Sequence, residues 1–207
     1  RINPGNFHKD QEQARLQFAR LVEVCKRCGT TLRIGLNHGS LGERITNLYG
    51  NTALGMKEAA MEWLRMCREN DFDRVVVSLK ASNTIVMVEA YRLLAAAMEA
   101  EGMDYPLHLG VTEAGNGDSG RIKSVAAVAA LLSEGIGDTV RVSLTEDPEC
   151  ELPVAQYLSD RFSRTPGAQA LQSTVRTIRI EGKTAEAVYV SPDRGRLLLD
   201  YSCDWGR

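Results

Sequence analysis

The feature that most constrains this chain is a repeated unit. A short, almost continuous apolar run ends in a polar residue, and an amphipathic helical stretch follows. The runs are "TLRIGLN" (31–37), "RVVVSLK" (74–80), "PLHLGVTE" (106–113) and "TVRVSL" (139–144), and the opening "RIN" resembles the tail of another. Helices are expected from about Asp10 to Cys28, stopped by Gly29, and from about Ala53 to Asn70. A third is expected after Ser82 as N-cap, closed by Gly102, and a fourth from about Arg121 to Glu134. Residues 38–52, "HGSLGERITNLYGNT", read as a long glycine-rich loop.

Apolar strands of this kind are buried on both faces of a parallel sheet. Alternation with helices implies right-handed crossovers, hence a doubly wound sheet or a β/α barrel. The strands begin at 31, 74, 106 and 139, a pitch that suits an eight-unit barrel of roughly 250 residues. The expected fold class is therefore α/β. Residues 1–150 read as the later part of a TIM (β/α)8 barrel, and 151–207 as the start of a second, inserted α/β unit. Arg1 stands as if in mid-strand, which suggests a portion of a longer protein. An open set of strands exposes unpaired edges, so further chain or a partner is expected to cover them.

In the second unit, "TEDPECELP" is acidic and turn-prone and "VAQYLSDRF" reads as a short helix. The stretch from Ser173 to Ser202 alternates in strand fashion, with turn signals at Glu181-Gly182 and Pro192-Asp193.

A net charge of -2 gives no global attraction to nucleic acid or anionic membrane, so any anion site must be local. No apolar run approaches the roughly 20 residues of a membrane span; "VAAVAALL" (125–132) suits a packed helix. "RINPGNFHKD" lacks the organisation of a signal peptide, and a cytoplasmic location is the expectation. The five cysteines, at 25, 28, 67, 150 and 203, do not form a secreted disulfide framework. "CKRC" (25–28) could be redox-active or half a metal site, but on a helix the simpler reading is packing.

In parallel α/β folds the working site lies at the carboxyl ends of the strands. Those ends supply Arg1 and Asn3, Arg33 and Asn37, Lys80, His108 and Glu113, and Arg141 and Ser143. Alternation places these polar groups on one face. Four fixed cations in one mouth repel unless an anion occupies it, and guanidinium forks suit phosphate oxygens. A compact diphosphate or bisphosphate would satisfy them. Any one such residue alone is better explained by solvation or a surface ion pair; the set is not. Lys80 could instead be a Schiff-base lysine of a phosphosugar aldolase or isomerase, and His108 a packed core histidine. "GNGDSG" (115–120) could cradle a phosphate at a helix start, a weak signal on its own.

"RINPGN", "RIGLNHGSL", "VVSLKAS", "PLHLGVTEAG" and "LLSEGIGDTVRVSL", in this order, resemble 4-hydroxy-3-methylbut-2-enyl diphosphate synthase of the methylerythritol phosphate route to isoprenoids. The resemblance covers about residues 1–150. It implies a TIM barrel binding 2-C-methyl-D-erythritol 2,4-cyclodiphosphate and a separate domain whose [4Fe-4S] cluster is held by three cysteines and a glutamate. It also implies a homodimer, and flavodoxin or ferredoxin as donor of two electrons for reductive ring opening and loss of a hydroxyl. On the matching positions, Arg1, Asn3, Arg33, Asn37, Lys80, Arg141 and Ser143 would hold the cyclodiphosphate. Glu113 would position or protonate the departing hydroxyl, and His108 would line the wall. No cysteine here has the context of the cluster ligands, so those ligands are expected outside this chain. Residues after 150 resemble the large insert of the plant-type and some bacterial enzymes. These 207 residues are accordingly not expected to turn over substrate alone.

Overall fold

Asp10 starts the first helix by accepting the backbone N–H of Gln13 on its carboxylate at 2.8 Å. Helix α1 (Gln11–Cys28) then runs to Gly29, whose φ of 64° provides a left-handed C-cap. The computed structural model describes residues 1–162, 175–180, 183–189 and 197–198. Strand β1 (Leu32–Asn37) follows α1, and β2 (Val75–Lys80) pairs with it in parallel, from Leu32 opposite Val75 to Asn37 opposite Lys80. Between them lie α2 (Glu43–Tyr49) and α3 (Ala53–Glu69). Helix α4 (Thr84–Ala100), β3 (His108–Leu109), α5 (Gly117–Ser133) and β4 (Thr139–Val140) complete the series.

Ile2 bridges Ile34 in parallel, Leu107 and Val111 bridge Val77 and Ala81, and β3 pairs with β4. Five strand segments thus lie side by side in chain order and all run one way. Their two faces differ. Ile34, Leu36, Val77, Leu79 and Leu109 are buried and join one core with Val22, Leu64, Leu94 and Leu131 of the helices. Each such side chain contributes about 1.5–3 kcal/mol when fully buried. Phe7 meets Trp63 edge-on at 5.0 Å, and Phe18 meets it at 4.9 Å, fastening the N-terminal segment onto α1 and α3.

Several expectations are corrected. The loop at 38–52 contains α2, a short helix bounded by Gly42 and Gly50, both at positive φ (85° and 71°). Asn83, not Ser82, caps α4: its Oδ1 accepts from the N–H groups of Ile85 and Val86. Helix α5 begins at Gly117 rather than Arg121, because the Glu146 carboxylate accepts the Gly117 N–H at 2.6 Å. Its N-terminus is therefore already filled by an anion, and the "GNGDSG" phosphate cradle is not supported. The strands expected over 106–113 and 139–144 are shorter than their apolar runs. Leu107 N–H donates to the Asp138 carboxylate, Leu144 N–H to Glu151, and Thr145 N–H to the Gly115 carbonyl, which diverts the backbone from the ladder.

Between β2 and β3 the ladder has an insertion. Val77 N–H donates to the Pro106 carbonyl at 2.9 Å and Thr112 N–H to the Ala81 carbonyl at 3.1 Å. At the step between them, Leu79 N–H donates to the Tyr91 hydroxyl at 2.8 Å, and that hydroxyl donates to the His108 carbonyl at 2.6 Å.

A 3-10 turn (Pro148–Glu151) leads into α6 (Leu152–Phe162). Val154 and Leu158 of α6 are buried in the same core as the preceding units. Farther on, β5 (Val175–Ile180) pairs antiparallel with β6 (Lys183–Tyr189), with Ile180 opposite Lys183, and β6 pairs with β7 (Leu197–Leu198). The Pro192-Asp193 turn lies outside the described residues. Among those described, no helix is long and apolar enough to cross a membrane.

Candidate anion-binding site

The strand registers decide which side chains share a face. Arg33, Gly35 and Asn37 of β1 stand opposite Val76, Ser78 and Lys80 of β2. The Ile2–Ile34 bridge puts Arg1 and Asn3 in line with Arg33 and Gly35, and the Val77–Leu107 bridge aligns His108 with Ser78. Thr139 pairs with His108, so Arg141, two residues on, shares its face. The sheet's inner face therefore carries Arg1, Arg33, Lys80, Arg141 and His108 together.

Their electrostatics follow from that proximity. Lys80 is only 6 % exposed. Burial, then the charges of Arg141, Arg33 and Arg1, pull its ammonium down to about 8. Burial, then Lys80, Arg33 and Arg141, hold the His108 imidazole down at about 4, so it is neutral near pH 7. Arg33 is lowered by burial first and by Arg1 and Arg141 next.

Every ion pair of the described residues lies in the helix layer or its loops, such as Arg15–Glu69, Arg92–Glu134 and Arg121–Glu146. Arg44–Glu62 and Lys57–Glu58 are further examples. Arg1, Arg33, Lys80 and Arg141 take part in none of them. Other unpaired cations, such as Arg20 and Lys123, are exposed to solvent, whereas these four converge on one face.

Smaller residues make room for this cluster. The Arg1 guanidinium donates to the Gly35 carbonyl at 3.0 Å. A Cβ on Gly35 would stand 2.7 Å from Arg1 Nε and 2.9 Å from Ser78 Oγ, and one on Gly110 would stand 2.7 Å from the Arg141 carbonyl oxygen. Alternation along "RIGLN" and "VVSLK" is the sequence signal that puts the uncharged Gly35 and Ser78 on this face. Thr139 Oγ1 lies 2.8 Å from His108 Nδ1 and fixes the ring.

Two predicted residues are placed differently from the rest. The Asn3 amide bonds Ser40 Oγ at 3.1 Å, while its oxygen accepts Gly5 N–H at 3.2 Å, capping the first turn. Glu113 lies beyond β3 at a φ of 54°, exposed to solvent, so strand alternation does not bring it onto the inner face. Asn37 is the register partner of Lys80, and Ser143 follows Arg141 past the end of β4.

The cysteines among the described residues do not form a metal centre. Cys25 is packed in the core and Cys28 is exposed. Burial pushes the Cys67 thiol up to about 12. No group of three His, Cys, Asp or Glu residues that could hold a metal ion occurs among the described residues. An iron–sulfur cluster does not fit this part of the molecule, and Cys203 lies outside the described residues.

Parallel strands in chain order, with helices on one side and convergent polar groups on the other, define an α/β protein of the barrel-forming kind. Residues 1–156 match the family model described as the GcpE TIM-barrel domain, and the chain belongs to that family. It is 54% identical to 4-hydroxy-3-methylbut-2-en-1-yl diphosphate synthase (flavodoxin) of Parabacteroides distasonis, over 84% of this chain and 31% of that protein. The enzyme of the same name from Porphyromonas gingivalis is 53% identical over 76% of this chain and 30% of its own length. That from Leptospira interrogans is 50% identical, over 79% and 27% respectively. The chain thus spans about a third of the length of the curated relatives it matches. Membership of this family does not favour the aldolase or isomerase reading of Lys80.

Proposed function

We propose that this chain supplies the substrate-binding barrel portion of an enzyme that reductively opens 2-C-methyl-D-erythritol 2,4-cyclodiphosphate. The product is 4-hydroxy-3-methylbut-2-enyl diphosphate, an isoprenoid precursor. The observation that carries this reading is the unpaired convergence of Arg1, Arg33, Lys80 and Arg141 on one sheet face. The family and the names of the relatives support it.

In this reading the three guanidinium groups and the Lys80 ammonium bind the diphosphate oxygens. Asn37 and Ser143 add neutral hydrogen bonds at the rim, and Asn3 holds the first turn in place. His108, neutral near pH 7, forms a wall that can donate or accept without adding charge. Glu113, exposed beyond β3, is the carboxyl group available to hold a proton for the departing hydroxyl. In the whole enzyme a [4Fe-4S] cluster, which the described residues do not hold, would supply the two electrons, with flavodoxin or ferredoxin as their source. We propose further that the protein is a cytoplasmic homodimer. Since α6 shares the core, residues 1–162 read as the later part of the barrel and those beyond as the start of an inserted unit.

Calorimetric titration of the protein with the cyclodiphosphate and with inorganic diphosphate tests the assignment. Both are expected to bind, and Arg33→Met is expected to weaken both. Absence of binding by either compound overturns it. Borohydride treatment with phosphosugars should leave Lys80 unmodified.

A further inference from the structure

Tyr91 is wholly buried and projects from α4 toward the seam between β2 and β3. A parallel pair with this register would place a direct bond from Leu79 N–H to the His108 carbonyl. The Tyr91 hydroxyl occupies that step instead, accepting from one at 2.8 Å and donating to the other at 2.6 Å. Two hydrogen bonds in series replace one of about 2.9 Å, so the two backbones stand farther apart here. Direct bonds return on either side, from Val77 to Pro106 and from Thr112 to Ala81, so the opening is bounded within the ladder.

That step is where two inner-face groups emerge. Lys80 follows Leu79 directly, and His108 contributes the carbonyl that Tyr91 holds. The fully satisfied hydroxyl, with no other polar neighbour needed, reads as a spacer rather than a reactive group; burial raises it well above the ordinary phenol range. We infer that Tyr91 is a positioning residue that holds β2 and β3 apart and so sets the gap between Lys80 and His108 into which one anionic oxygen of a diphosphate fits. This rests on the reading of the inner face as a diphosphate site.

Without the hydroxyl, the Leu79 N–H and His108 carbonyl are left to pair directly, drawing the strands together. The Lys80 ammonium and the His108 imidazole then approach, with Arg33 and Arg141 still facing both.

The test uses the whole protein with Tyr91→Phe, and with p-aminophenylalanine at position 91, which keeps a donor and a lone pair at the same place. Tyr91→Phe is expected to weaken inorganic diphosphate binding at least tenfold and to move the NMR titration of His108 to lower pH. The amino variant is expected to restore both substantially. A merely packed tyrosine would change thermal stability while leaving His108 titration and diphosphate affinity unchanged, and that result overturns the inference. If the parent protein does not bind diphosphate, the site reading fails, while the His108 titration still decides whether Tyr91 sets the spacing. Should Tyr91→Phe not fold, the amino variant decides: it is expected to keep Leu79 protected from amide exchange and to hold diphosphate affinity and the His108 titration near those of the parent. Loss of Leu79 protection with affinity and titration unchanged overturns the inference.

Discussion

Asn37 and Lys80 are register partners at the carboxyl ends of β1 and β2, an amide beside an ammonium on the inner face. Lys80 is nearly buried, and the neighbours that act on it are Arg141, Arg33 and Arg1, all of its own sign. A structure seldom keeps such an arrangement for stability, because each like charge raises the free energy of the empty fold. Binding a polyanion reverses that sign.

Removing one of these cations should therefore stabilise the free protein and weaken binding. Arg141→Met is expected to cost about 1.5–3 kcal/mol of diphosphate affinity if it makes a charge-assisted contact. Thermal unfolding without ligand should occur at the same or higher temperature than in the parent, and with diphosphate at a lower one. A variant destabilised in the absence of ligand would contradict the account.

Lys80 gives a pH dependence of binding. Its ammonium titrates at about 8 in the folded protein against an ordinary 10.5. Below that range it is charged whether folded or unfolded. Between about 8 and 10.5 the unfolded chain binds the extra proton, so this group's contribution to stability rises with pH across that window. Diphosphate favours the charged form. Affinity should then fall as pH rises above about 8, and calorimetry at that pH should show proton uptake that Lys80→Met abolishes.

His108 acts at the other end of the scale. It titrates at about 4 against an ordinary 6.5. As pH falls from 6.5 toward 4, the unfolded chain takes up a proton that the folded chain refuses, and stability is lost. Denaturant titrations should show the parent weakening across this window and His108→Gln weakening less. Parallel pH profiles for the two would sink the assignment.

Gly35 and Gly110 should respond differently to alanine. At Gly35 the new Cβ meets the flexible Arg1 side chain and Ser78 Oγ, so Gly35→Ala should fold and bind diphosphate less tightly as Arg1 is displaced. At Gly110 it meets the Arg141 backbone carbonyl at 2.7 Å, which cannot step aside. Gly110→Ala should cost about 1–3 kcal/mol of stability, read as a lower denaturation midpoint.

The period-two and helical patterns were legible where a local signal ran the whole length of an element. Helices α1 and α3 and strands β1 and β2 lie within a residue or two of their sequence expectation for that reason. What escaped depended on partners far along the chain. Glu146 starts α5 from 29 residues away, and Asp138 draws off the Leu107 N–H from 31 residues away. Helix α2, at 7 residues, is too short for its period to stand out among glycines. In the site, charge at strand ends pointed to the inner-face cations through alternation alone. Glu113 broke that rule because its positive φ follows the end of the strand. Tyr91 was invisible, since a tyrosine on a helix face reads as packing until its hydroxyl is seen between two strands.

The gathering of like charge on the inner face has a practical consequence. A cluster of this kind gathers counter-ions from whatever solution holds it, polyvalent ones before chloride. On the proposed reading of the inner face, protein prepared in phosphate or sulfate is therefore a competitor-loaded species. Its melting temperature will be raised and its apparent affinity for diphosphate lowered relative to protein in chloride, by the ordinary arithmetic of linked occupancy.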